Sequence, residues 1–309
     1  GTSGLYLPPL SLSLWWNFGD NIPFDNQRAL LRHAFDRGIT HFDLANNYGP
    51  PYGSAEKNFG RIFARDFRPF RDEMIISSKA GWVMDDSPYG FGGSRKYLVS
   101  SLDASLERMG LDYVDIFYHH RPDPDTPLEE TLYALRDIVA SGKALYVGVS
   151  EWNAEQIRAG QELATQMGFR LVSNQPQYSM LWRVIEDQVV PTSKELGMGQ
   201  VVWSPMAEGV LSGKYLPGSQ PPAGSRATDE KGGREMIARW MTDPVLTAVQ
   251  RLRPIAEQAG LTMAQLAVAW VLQNDNVSAA LVGASRPEQL DENLAALDGP
   301  AFDVEELEQ

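Results

Sequence analysis

The sequence predicts an α/β protein, a closed (β/α)8 barrel of the TIM type, and three observations carry that expectation. Strand-like and helix-like segments alternate along the chain, eight of each can be read, and most connections between them are short. Eight such units fit a closed barrel better than an open sheet. At 309 residues two domains would be possible by length, but single α/β barrels reach this size, and one domain over 1–309 is expected.

The elements follow in order. LSLSLWW (10–16) reads as the first strand, and Asp25 ahead of NQRALLRHAFDRG opens a helical period over 25–37. THFDLA (40–45) is the second strand, followed by helix-period residues 54–65, and EMIISSKA (73–80) is the third, followed by 95–109. DYVDIFYHH (112–120) precedes Thr126-Pro127, which with Glu129 and Glu130 starts a helix over 127–141. ALYVGVSE (144–151) and FRLVSNQPQ (169–177) are strands leading to helices at 154–167 and 182–197. MGQVVWSP (198–205) leads to a helical stretch over 243–274, and SAALVGAS (278–285) to one over 286–297 that opens with Arg286-Pro287-Glu288. Gly38, Gly110, Gly142, Gly168 and Gly197 each sit just past a helix, where a left-handed cap is favoured. The segment 206–242, with GKYLPGSQPPAGSRATDEKGGRE, breaks the spacing, and a polar loop that long in a compact domain is usually a functional lid.

Composition narrows the function. Apolar residues at 43%, with 8 Trp, 12 Phe and 11 Tyr, are enough to fill a large core. A net charge of −13 repels nucleic acid and anionic membrane over most of the surface, while local Arg and Lys can still hold a small anionic cofactor. The absence of cysteine excludes disulfides, thiolate metal sites and cysteine nucleophiles. No run of about 18 apolar residues is present, and the N-terminal stretch has no basic start, so a cytoplasmic protein is expected. A homo-oligomer is compatible with the sequence. With four histidines and no H-E-x-x-H, no metal site is expected. GFGGSR fails the G-x-G-x-x-G pattern, and GVLSGK is one residue short of a P-loop.

Asp43, Tyr48, Lys79 and His120 fall at or just beyond strand ends, which in a parallel barrel converge on one mouth. Taken singly, Asp43 reads as a strand-end cap, Tyr48 as rim packing and Lys79 as a solvated charge. Together they surround a phenol with a cation, a carboxylate and an imidazole, the means to tune a proton donor whose free pKa is about 10. Adjacent His119 and His120 must point to opposite faces of their strand.

Through LSLSLWWNFGD, GITHFDLANNYGPPYGSAEKNFGR, HRPDPDTPLEET, GKALYVGVSEW, WSPMAEGVLSGKY and LVGASRPEQLDENLAAL, the chain resembles the aldo-keto reductases over nearly its whole length, in the branch that holds bacterial glyceraldehyde-3-phosphate and methylglyoxal reductases and potassium-channel β subunits. The resemblance implies a (β/α)8 barrel that binds NADPH/NADP+ without a Rossmann fingerprint and reduces aldehydes or ketones. By position, Asp43, Tyr48, Lys79 and His120 correspond to the family's catalytic tetrad, with Lys79 expected to lower the Tyr48 pKa, Asp43 to hold Lys79, and His120 to orient the carbonyl. His120 stands where the channel subunits have Asn, which argues for an enzyme over the alternative, a nucleotide-sensing or assembly subunit.

The resemblance also implies the cofactor contacts. Trp203 would stack on the nicotinamide, Ser150 and Gln175 would hold its carboxamide, and Trp15 would complete that end. Ser204, Met206 and Lys214 would line the pyrophosphate, and Gly283, Ser285, Gln289, Glu292 and Asn293 the adenosine side. Arg226 and Arg286 are candidates for the 2′-phosphate. Glu151 departs from the family, standing where relatives carry Asn or Arg beside the nicotinamide, with its side chain either facing the ring or turned away, and Ser13 replaces a usual Gly. Trp16 and Trp82 are expected to bind substrate within an aromatic wall that also includes Phe18 and Tyr52. Small-molecule carbonyls, short reactive aldehydes first, are the expected substrates.

Overall fold

A computed structural model describes residues 1–230 and 232–299. Among them eight parallel strands close into a barrel in chain order: β1 (Leu10–Ser13), β2 (His41–Asp43), β3 (Ile75–Ala80), β4 (Val114–His119), β5 (Ala144–Val149), β6 (Leu171–Asn174), β7 (Gly199–Val202) and β8 (Val277–Val282). Strand β8 returns to pair with β1, Leu12 against Val282. The outer helices are α1 (Phe24–Asp36), α2 (Ser54–Ile62), α3 (Arg95–Met109), α4 (Leu128–Ala140), α5 (Ala154–Gln166) and α6 (Val189–Glu195), one after each of the first six strands. Between β7 and β8 run α7 (Gly233–Ile237), α8 (Asp243–Arg251), α9 (Arg253–Gln258) and α10 (Met263–Leu272), and α11 (Pro287–Leu294) follows β8.

Strands enclosed on both faces must be buried throughout, and all six residues of β4 are. Apolar side chains on the outer face, such as Phe42, Ile76 and Phe117, pack among helix residues such as Phe59 and Leu102 in one large cluster. The barrel interior is more polar than its length of apolar strand suggests. In-register neighbours Lys79, Tyr118, Gly148 and Ser173 share one layer, and Tyr118 donates to Ser173 Oγ at 3.2 Å. Gly148 makes room for that layer, since a Cβ there would lie 2.6 Å from both Tyr118 Cε1 and Ser173 O.

Three helical expectations are corrected. Only Val189–Glu195 of 182–197 is α-helical, because Pro191 lacks an N–H and is tolerated only in a first turn, so the helix begins just ahead of it. The stretch 243–274 is three helices rather than one. Pro254 opens α9, left-handed Gly260 ends it, and α10 restarts on a capping box in which Thr262 Oγ1 accepts from Gln265 N. The chain turns by 85° there. Asp25 lies inside the first turn of α1, after Pro23, rather than capping it through its side chain.

The segment 206–242 is organised rather than loose. Two 3-10 turns, Ala207–Ser212 and Arg226–Thr228, lead to α7, and Val210, Leu211, Tyr215, Ile237 and Trp240 bury themselves with Leu246, Val249 and Leu266 in a second apolar cluster. Among the described residues no single helix is long and apolar enough to cross a membrane.

Gly148→Ala tests the interior layer. The added methyl meets backbone and a buried ring with no room to retreat, so a loss of about 1–3 kcal/mol is expected in urea unfolding; unchanged stability would show that both Tyr118 and the Ser173 carbonyl can move aside.

Candidate active site

The C-terminal ends of the strands place the chemistry. Asp43 is the last residue of β2 and Lys79 the next to last of β3, while His120, Ser150, Gln175 and Trp203 follow β4, β5, β6 and β7 within one residue. Backbone bonds extend the ladders past the strands, Leu44 N to Ser77 O at 2.8 Å, Asn46 N to Lys79 O at 3.0 Å and His120 N to Ala80 O at 2.8 Å. Tyr48 N, bonded to Ala45 O at 3.1 Å, turns the phenol back over the mouth.

Beneath the mouth lies a buried ion pair. Lys79 Nζ donates to Asp43 Oδ2 and to Leu44 O, each at 2.6 Å, and both side chains are 0% exposed. Asp43 Oδ1 accepts from Ser77 Oγ at 2.7 Å and from Gln175 Nε2 at 3.1 Å. Ser77 Oγ also meets His41 Nε2 at 2.9 Å, and His41 Nδ1 meets Ser11 Oγ at 2.8 Å. Because Ser77 spends its proton on Asp43, His41 must donate to it through Nε2 and accept from Ser11 through Nδ1. A directed chain therefore crosses β1, β2 and β3 to the carboxylate.

Lys79 Nζ stands 4.7 Å from the Tyr48 ring centroid, and the Tyr48 and His120 rings meet edge to face at 6.2 Å. Burial pushes the Tyr48 hydroxyl well above its ordinary range, Asp43 adds to the rise, and Arg121 opposes it. The expected lowering by Lys79 is thus not what governs this group: the ammonium is engaged by Asp43 and Leu44, and Tyr48 holds its proton at neutral pH. Burial also holds His120 well below the usual imidazole range, with Lys79 and Arg121 reinforcing the effect, so its ring is neutral. His119 turns the other way, edge-on to Trp152 at 6.0 Å.

A cavity of about 1150 Å³ opens above this floor. Tyr48, His120, Ser150, Gln175 and Trp203 line its depth, and Ser204, Met206, Lys214 and Arg226 line the wall made by 206–242. Gly283, Ser285, Gln289, Glu292 and Asn293 line the far end, and Trp15, Trp16 and Trp82 the mouth, with Ser13 below them. Asp43 and Lys79 support the cavity without lining it. Phe18 and Tyr52 do not join the aromatic wall, since Phe18 is 0% exposed in the core and Tyr52, 59% exposed, faces solvent. Arg286 is exposed and outside the cavity, because the turn into α11 carries it away.

Several contacts escaped the sequence reading. Glu151 does not present a free charge: its Oε1 accepts from Trp203 Nε1 at 2.8 Å and Gln177 N at 2.6 Å, which fixes the indole. Glu208 binds Arg239 at 3.2 Å and Trp240 Nε1 at 3.0 Å, while its carbonyl accepts from Arg226 at 3.3 Å. Asn17 Nδ2 donates to Ala284 O at 2.8 Å, tying the first loop to the last. Arg121, flanked by Trp82 and Trp203, also lines the cavity. Its position directly after His120 was the available signal; the other contacts join residues distant in sequence.

The model of the aldo/keto reductase family matches residues 14–309. The chain is 50% identical over 311 residues to the L-glyceraldehyde 3-phosphate reductase of Escherichia coli (strain K12), covering 100% of this chain and 89% of that protein. It is 38% identical over 300 residues to a probable voltage-gated potassium channel subunit beta of Oryza sativa subsp. japonica, covering 96% of this chain and 90% of that one. A putative subunit of the same kind from Schizosaccharomyces pombe is 37% identical over 305 residues, covering 96% and 87%.

Buried histidines make stability pH-dependent. Burial lowers His41 and His119 to about 4 each, whereas an unfolded imidazole titrates near 6.5. Between those values the unfolded chain binds more protons, so stability falls as pH drops from about 6.5 toward 4, by up to roughly 3 kcal/mol per histidine. Both His119 ring nitrogens lack hydrogen-bond partners among the described residues, so His119→Phe loses no hydrogen bond at pH 7 and, whatever constant packing cost the larger ring adds, should flatten the acid slope in urea unfolding. A slope as steep as the parent's would refute this assignment.

Proposed function

The chain belongs to the aldo/keto reductase family and is an oxidoreductase; from that premise we propose that it uses NADPH to reduce short reactive aldehydes such as methylglyoxal, glyceraldehyde or glyceraldehyde 3-phosphate, with Tyr48 as proton donor. The observation that carries this reading is the neutral, buried Tyr48 and His120 pair set above the Lys79–Asp43 ion pair at the floor of the cavity.

The cavity suits a dinucleotide and a small carbonyl together, since its 1150 Å³ exceeds the roughly 300–1,000 Å³ of ordinary small-molecule sites. When bound, the nicotinamide would supply the hydride. Trp203, locked by Glu151, would cover one face of the ring and keep water out. Gln175 Nε2 donates to Asp43, and Ser150 gives its hydroxyl proton to the Gln175 backbone carbonyl, so the Gln175 Oε1 and Ser150 Oγ remain as acceptor oxygens suited to a carboxamide NH2. Ser204, Met206 and Lys214 would receive the pyrophosphate; Lys214 has no carboxylate partner among the described residues. Arg226, tied to the Glu208 carbonyl, would hold the 2′-phosphate and select NADPH over NADH. Trp15, Gly283, Ser285, Gln289, Glu292 and Asn293 would complete the cofactor contacts.

At the carbonyl, Tyr48 would donate its proton to the oxygen as negative charge develops there. His120 would donate a hydrogen bond to the same oxygen and set its direction. Lys79 lies close enough to stabilise the phenolate left behind, and Asp43 keeps it charged despite burial. Trp16 and Trp82 would pack on the substrate's carbon chain.

Tyr48→Phe tests the proton donor. It should retain NADPH binding, followed by fluorescence titration, and lose about 10²–10⁴-fold in kcat with methylglyoxal. Wild-type protein that binds NADPH tightly but turns over no aldehyde would overturn the reductase reading in favour of a nucleotide-sensing subunit.

A further inference from the structure

The cavity holds a cation with no role in the chemistry above. The Arg121 Cζ lies 4.8 Å from the Trp82 ring centroid and 6.0 Å from that of Trp203, and the side chain is 29% exposed. Its one carboxylate neighbour among the described residues, Glu151 Oε1, is 3.7 Å from Arg121 Nη1, too far for a hydrogen bond. That oxygen is already taken by Trp203 Nε1 and Gln177 N. Among the described residues the guanidinium therefore donates no hydrogen bond, although it sits two-thirds or more out of water. Such a group is costly to keep unless something pairs with it.

We propose that Arg121 is the subsite for an anionic group on the substrate, a phosphate monoester carried on a short aldehyde; the assignment rests on the reductase reading. The geometry is continuous from the reacting centre: the Tyr48 ring is 6.2 Å from His120, His120 is 6.2 Å from Trp82, and Trp82 is 4.8 Å from the guanidinium. Arg121 acts electrostatically on both Tyr48 and His120, so a three-carbon substrate with its carbonyl at those groups would extend its far end toward the guanidinium. The planar fork matches two phosphate oxygens, and the flanking indoles hold its orientation while excluding water, which strengthens the attraction. A chain of net charge −13 repels anionic substrates in general, so accepting one requires a local cation of this kind. A neutral aldehyde would leave the guanidinium's hydrogen-bond donors as unspent as before, with only the 3.7 Å contact to Glu151 to offset its charge.

The test compares wild type, Arg121→Gln and Arg121→Lys with glyceraldehyde 3-phosphate and unphosphorylated glyceraldehyde, NADPH being saturating. In Arg121→Gln the ratio of kcat/KM for the phosphorylated over the unphosphorylated aldehyde should fall by about 10- to 100-fold, mainly through KM, as expected for losing a hydrogen bond to a charged group. Arg121→Lys, which keeps the charge without the fork, should recover part of that ratio, and it decides the matter if the Gln variant does not fold. Equal losses on both aldehydes would overturn the proposal, since Arg121 would then act through Tyr48 or His120. A weakened NADPH dissociation constant with an unchanged ratio would also overturn it, making Arg121 a cofactor contact. If wild type reduces neither aldehyde, the reductase reading fails by itself. Calorimetric binding of glycerol 3-phosphate to wild type and Arg121→Gln then decides the subsite separately: tighter binding to wild type supports it, and equal binding overturns it.

Discussion

The Lys79–Asp43 ion pair is the constraint around which the barrel floor is arranged. Two opposite charges at 0% exposure lose several kcal/mol of hydration each, and the loss is tolerable only when hydrogen bonds offset it around the pair. The structure supplies them from several directions. Leu44 O takes a second Lys79 proton, and Ser77 and Gln175 occupy the other Asp43 oxygen. Strands β2 and β3 and the residue after β6 are thereby held to one point, and the Ser11–His41–Ser77 chain extends the tie to β1. Tyr48 and His120 inherit their dry, neutral surroundings from this floor, which explains why burial outweighs the neighbouring cation in setting the Tyr48 hydroxyl.

The mouth is built on backbone strain rather than on buried charge. Glu151, Ser204, Ala207 and Glu208 are the non-glycine residues with positive φ among those described, at 59°, 54°, 47° and 59°. Each such residue costs on the order of 1–3 kcal/mol and persists only where its surroundings hold it. Here the holding contacts are specific. Glu151 is gripped by Trp203 and Gln177, and Glu208 by Arg239 and Trp240. The turn after β7 can then pass close over the cavity and present Ser204, Met206 and Lys214 to it, with Arg226 secured against the same turn. The polar composition of 206–242 hides this order, because its apolar anchors are spread thinly between Gly and Pro.

What the sequence determined by itself follows from local physics. Alternating strand and helix segments with glycine caps define eight β/α units, and strand-end positions put Asp43, Tyr48, Lys79 and His120 at one mouth, because a parallel barrel sends all its strand ends the same way. Alternation along β4 was enough to separate His119 from His120. Tertiary structure decided whatever depends on partners far away in the chain. It made Glu151 an anchor for Trp203 rather than a free charge, sent Phe18 into the core and Tyr52 to solvent, and left Arg121 between two indoles with its donors unspent. It also set the Tyr48 hydroxyl by burial. Desolvation and long-range hydrogen bonds are properties of the assembled interior, and neither composition nor spacing carries them.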